Sequence, residues 1–127
     1  MRRVVIDMQN ALFADAIATV LRDFDSDFEV HQSESPVKTS DMCAFTEANI
    51  LIMEVTAYSS WKLEERMKIR NEVKAQNPGC KIVLVVDENS DKKLADKVRL
   101  AKKDGLIDNF IYGSISATYL SAVIDTL

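Results

Sequence analysis

The sequence predicts an α/β fold built on a doubly wound, five-stranded parallel sheet, and three observations carry that expectation. Short apolar runs alternate with longer polar segments of helical period along the whole chain. Two of those runs, Ile50-Leu51-Ile52-Met53-Glu54-Val55 and Ile82-Val83-Leu84-Val85-Val86, are almost unbroken, as strands covered on both faces require. Strands separated by helices pair in parallel through right-handed crossovers. At 127 residues the chain is sized for a single domain, residues 1–127, that buries roughly two-thirds of its unfolded surface.

The elements follow in order. Arg3 to Ile6 is a β-branched first strand. Asn10 caps a helix running to about Asp23, with Leu12, Ala16, Ile17, Val20, Leu21 and Phe24 on its apolar face. Phe28 to His31 is a short strand, and Ser35-Pro36 opens a weaker helix to about Ala44. After the Ile50–Val55 strand, Ser59 or Ser60 caps a helix from Trp61 to Gln76, ended by Asn77-Pro78-Gly79; its apolar stripe is Leu63, Met67, Ile69 and Val73. Ile82–Val86 is the central strand. Ser90 or Asp91 starts a helix with the stripe Leu94, Val98 and Ala101, stopped by Gly105. Phe110 to Tyr112 is the fifth strand, and Ser116 caps a last helix to Leu127.

Composition narrows the function classes. A net charge of −4 gives no global case for nucleic acid or an anionic membrane. No stretch approaches the ~20 apolar residues of a transmembrane helix, and there is no signal-peptide core. Cys43 and Cys80 form no metal-binding spacing with the lone His31. A reduced, cytoplasmic domain is the expectation. Phosphate loops and nucleophile motifs are absent, so no enzyme activity is expected.

In open parallel sheets chemistry collects at the carboxyl ends of the strands, where Glu54 stands. Asp7 and Asp87 approach the same edge, and with Glu54 they could make a cation site or serve a small enzyme or ligand-binding domain. The plainer reading makes Asp7 a helix-entry or loop-bonding residue and Asp87 the start of a polar turn. The fourth helix is the most basic segment, with Lys92, Lys93, Lys97, Arg99, Lys102 and Lys103, for which a solvated face is the default. Trp61 lies near the Glu54 loop, where packing is its expected role, and Met8, Met42, Met53 and Met67 read as core filler.

Three stretches carry a family resemblance. Arg3-Val4-Val5-Ile6 with Asn10 through Ile17, Arg70 through Val83, and Gly105 through Val123 resemble the receiver domain of bacterial two-component response regulators, near the branch with helix-turn-helix outputs. The resemblance spans the chain in register. It implies a flavodoxin-like sheet of order 2-1-3-4-5 and a role in phosphorelay signal transduction and transcription regulation.

The family's chemical residues are replaced. Its two metal-binding acids after the first strand fall on Met8 and Gln9, with Asp7 one position earlier. Its phosphoacceptor aspartate falls on Glu54, its switch hydroxyl on Val86, and its lysine on Tyr112 or Gly113. A thioether and a neutral amide are poor substitutes for carboxylates on Mg²⁺. Phosphoryl transfer depends on positioning and charge stabilisation, which this set has lost. A pseudo-receiver without cofactor is therefore expected, Mg²⁺ entering only under the alternative of a conventional receiver with atypical ligation. Glu54 then has two readings, a mimic of phosphoaspartate or a relic carboxylate satisfied by backbone amides. The resemblance further implies protein partners, including a homodimer through the fourth helix, fifth strand and fifth helix, with Tyr112, Tyr119 and Lys97 on that face. A histidine kinase partner is left open, and neither nucleic acid nor membrane contact by this domain is expected.

Overall fold

In the computed structural model, which describes residues 1–57, 59–86, 92–113 and 117–127, helices and strands alternate throughout. The strands are β1 (Arg2–Asp7), β2 (Phe28–Gln32), β3 (Ile50–Val55), β4 (Lys81–Val86) and β5 (Asn109–Tyr112). The helices are α1 (Ala11–Phe24), α2 (Pro36–Thr46), α3 (Leu63–Gln76), α4 (Lys92–Lys103) and α5 (Ala117–Asp125). All pairings are parallel and the sheet order is β2-β1-β3-β4-β5, as expected. Among the described residues no helix is long and apolar enough to cross a membrane. Asp87, and the caps expected at Ser90 or Asp91 and at Ser116, lie outside the described residues.

Alternation along each strand divides the core in two. Val4, Ile6, Ile50, Ile52, Val83 and Val85 face the layer containing Ala14, Ile17, Ala18 and Leu21 of α1 and Leu120 and Ile124 of α5. Val5, Leu51, Met53, Val55, Leu84 and Val86 face the layer with Cys43 of α2, Ile69 and Val73 of α3, and Leu94, Ala95, Val98 and Ala101 of α4. The side a strand residue faces therefore decides which helices it meets.

Helices α1 and α3 differ from expectation in their buried face and start. On α1 the buried stripe is Ala14, Ile17, Ala18 and Leu21, while Leu12 is 83% exposed and Ala16 and Phe24 are exposed. Small Ala14 and Ala18 let the helix lie close to the sheet beside Ile17 and Leu21, while Leu12 and Phe24 turn outward. Neither Ser59 nor Ser60 caps α3. A single 3₁₀ turn at Ser59–Trp61 precedes it, and its N-cap is Lys62. The cause is local: the Trp61 carbonyl accepts the Thr56 N–H at 2.9 Å, so the helical ladder begins one residue later, with Arg66 N–H donating to the Lys62 carbonyl at 3.0 Å.

Candidate functional site

Glu54 is the penultimate residue of β3 and half-buried, with its neighbours Ile52 and Val85 in the α1–α5 layer. Its Oε1 accepts the backbone N–H groups of Gln9 (2.7 Å) and Asn10 (3.1 Å). Asn10 is the N-cap of α1, and its own Oδ1 accepts the Phe13 N–H at 3.0 Å. The carboxylate thus meets donors at the positive end of a 14-residue helix, a favourable place for negative charge.

Asp7 behaves differently. It lies in phase with Val5, so its carboxylate enters the opposite layer, where it is 1% exposed. Arg66 of α3, itself 0% exposed, meets it there. Arg66 Nη1 donates to Asp7 Oδ2 at 2.6 Å, Nη2 donates to Oδ1 at 3.3 Å and to the Asp7 carbonyl at 3.1 Å, and Nε donates to the Glu54 carbonyl at 2.8 Å. Thr39 Oγ1 of α2 adds a donor to Oδ2 at 2.6 Å. One planar guanidinium therefore ties the ends of β1 and β3 to α3, with four bonds in the geometry its fork favours.

This arrangement corrects both readings of Asp7. It is neither a helix-entry or loop-bonding residue nor half of a cation site with Glu54, because the two carboxylates leave the sheet on opposite sides and each is engaged. Among the described residues no three His, Cys, Asp or Glu side chains converge in a metal-binding group. Among the described residues the donor set does not fit Mg²⁺. Met8 is partly buried against the α1–α5 layer, and Gln9 is exposed.

Val86 is 1% exposed within the α3–α4 layer, turned away from the Glu54 carboxylate. Its carbonyl accepts the Gly113 N–H at 2.8 Å, extending the β4–β5 pairing past Tyr112. The Tyr112 ring packs against the same layer and meets Phe110 edge-on at 5.8 Å. Arg99 of α4 donates to the Tyr112 hydroxyl and to Asp96 Oδ1 at 2.7 Å. Lys97 and Tyr119 are exposed, Tyr119 by 58%.

No family model matches the chain, and no curated protein matches it. Solved structures do. An orphan response regulator of H. pylori superposes with a TM-score of 0.76 at 14% identity, covering 98% of this chain and 94% of its own. A CheY-like response regulator receiver domain protein from Methanospirillum hungatei JF-1 gives 0.76 at 13% identity over 99% and 92%. A LuxR-family DNA-binding response regulator from Staphylococcus aureus gives 0.74 at 12% identity over 99% and 98%. The fold is that of response regulator receiver domains. At the carboxyl edge of the sheet stand a carboxylate bound to amides, a buried valine, and a carboxylate sequestered by arginine. The signal for Arg66 was present in the sequence. It lies three residues after Leu63 and three before Ile69, in the phase of the buried stripe.

Proposed function

We propose that the chain is a cytoplasmic, receiver-like signalling domain that is not phosphorylated on aspartate and acts through protein–protein contact. The observation that carries this reading is the engagement of both carboxylates at the sheet edge, Glu54 by the amides of Gln9 and Asn10 and Asp7 by Arg66. Phosphoryl transfer to a carboxylate needs a charge-neutralising partner beside it. Here the nearest buried cation serves the other face of the sheet. No cofactor is required. The output surface in this reading is α4, β5 and α5, with Tyr112, Tyr119 and Lys97 available for self-association or for a transcription-regulating partner. The resemblance of the first and last segments to the helix-turn-helix branch supports that output.

The test is an amide-resolved NMR titration, first with millimolar Mg²⁺ and then with beryllofluoride as a phosphoryl mimic. The expected result is an unchanged spectrum at Gln9, Glu54 and Val86. Shifts that start at Glu54 and spread to Val86, Tyr112 and α4 would reveal a working receiver with atypical ligation and overturn the proposal.

A further inference from the structure

A cleft of about 260 Å³ opens between the start of α3 and α4, on the side of the sheet away from the Glu54 carboxylate, lined by Lys62, Lys93 and Lys97, with Leu63 and Leu94 among its apolar walls. Lys62, Lys93 and Lys97 are all exposed. The surroundings of Lys62 and Lys97 differ from those of lysines elsewhere. Lys38 pairs with Glu34 (3.4 Å), Lys68 with Glu65 (3.1 Å), and Lys74 and Lys81 each with Asp108 (3.8 Å). Among the described residues no carboxylate pairs with Lys62 or Lys97, nor with Lys92 or Lys103 on the same helix. Excess positive charge is thus gathered on α4 and across the cleft mouth, on a chain whose net charge is −4.

We infer that this cleft is a docking site for an acidic peptide segment of a partner protein, one that presents carboxylates to Lys62 and Lys97 and an apolar side chain to Leu63 and Leu94. This rests on the reading of the domain as a protein-contact module and adds the chemistry of the partner. Charge complementarity favours an acidic occupant. One feature favours peptide over nucleic acid: among the described residues the cleft floor is aliphatic, with no aromatic platform for bases.

The probe is a short fluorescein-labelled peptide of repeated Glu-Leu-Asp-Glu, followed by anisotropy and by amide shifts. Binding should perturb Lys62, Leu63, Leu94 and Lys97. The double variant Lys62→Glu/Lys97→Glu, both sites being exposed, should weaken it on the order of tenfold or more. The Glu→Gln, Asp→Asn peptide should lose binding to a similar degree. No binding at millimolar peptide overturns the cleft, as does binding that the double variant leaves unchanged. Tighter binding of an oligothymidylate would overturn it in favour of nucleic acid. Sedimentation of wild type against Tyr119→Ala runs alongside. Tyr119-dependent self-association without peptide binding would sink the cleft and leave the contact module standing. Loss of both would remove the module reading itself.

Discussion

At the scale of single residues, the Arg66–Asp7 pair has the largest consequence. Two opposite charges with essentially no solvent access are stable only because the fork geometry and Thr39 satisfy them. Arg66→Met leaves a buried carboxylate with one hydroxyl donor and an unbound Glu54 carbonyl, and should lower stability by about 3–5 kcal/mol. The double variant Asp7→Leu/Arg66→Met removes both charges and should recover most of that loss. Urea unfolding midpoints of the three proteins check this; a single variant within 1 kcal/mol of wild type would show that the pair carries little. The pairing is hard to see in the sequence because local context hides each member. Asp7 follows a β-branched strand as a loop residue would, and Arg66 lies among charged neighbours, Glu64, Glu65 and Lys68. Glu54 was more legible, since an acid ending an apolar strand has few places to go but the sheet edge.

At the scale of elements, helix termini separate what the sequence discloses from what it hides. α4 ends in a Schellman motif, with Leu106 N–H donating to the Ala101 carbonyl at 3.0 Å and Gly105 N–H to Lys102 at 3.1 Å, and Gly105 at φ +79. Glycine announces that stop. α2 closes the same way, Ala48 N–H to Cys43 at 3.0 Å and Glu47 N–H to Ala44 at 3.3 Å, but its left-handed residue is Glu47 at φ 53. No residue type marks that position, and the helix runs to Thr46 rather than to the expected Ala44. The same geometry occupied by two residue types gives opposite predictions. Gly105→Ala should cost about 1 kcal/mol, the penalty of a Cβ at positive φ, because nothing lies within 4 Å to clash. Glu47→Gly should raise stability by up to about 1 kcal/mol through relief of the same penalty. Thermal unfolding of the two variants checks the pair, and shifts of equal sign would contradict it.

At the scale of the whole molecule, fold class was legible because it depends on a repeated signal, strand after helix, that no single misread residue can cancel. The strand order followed only from what the family resemblance implies. Which layer a side chain enters was not legible, since a shift of one residue at a strand end sends it to the other face, and that decided the fate of Asp7. The same layering isolates both cysteines. Cys43 and Cys80 share the α2–α3–α4 layer at 4% and 0% exposure. Burial pushes Cys43 up to about 12, with the neighbouring Cys80 and Asp7 adding to it, and pushes Cys80 up to about 11, opposed by Lys74. The ordinary thiol value is 9.0. Below it both folded and unfolded chains hold the protons, and stability is independent of these groups. Above it the unfolded chain releases protons that the folded chain retains, so stability falls as pH rises from 9.0 to about 11. Each thiol contributes a slope of about 1.4 kcal/mol per pH unit in that window. The double variant Cys43→Ala/Cys80→Ala is less stable at neutral pH through lost packing, yet its stability should decline less steeply with alkali. Denaturation series for both proteins across that window isolate the thiols from tyrosine and lysine titration, which is common to the two. Parallel curves would show that the buried thiols do not couple folding to protons.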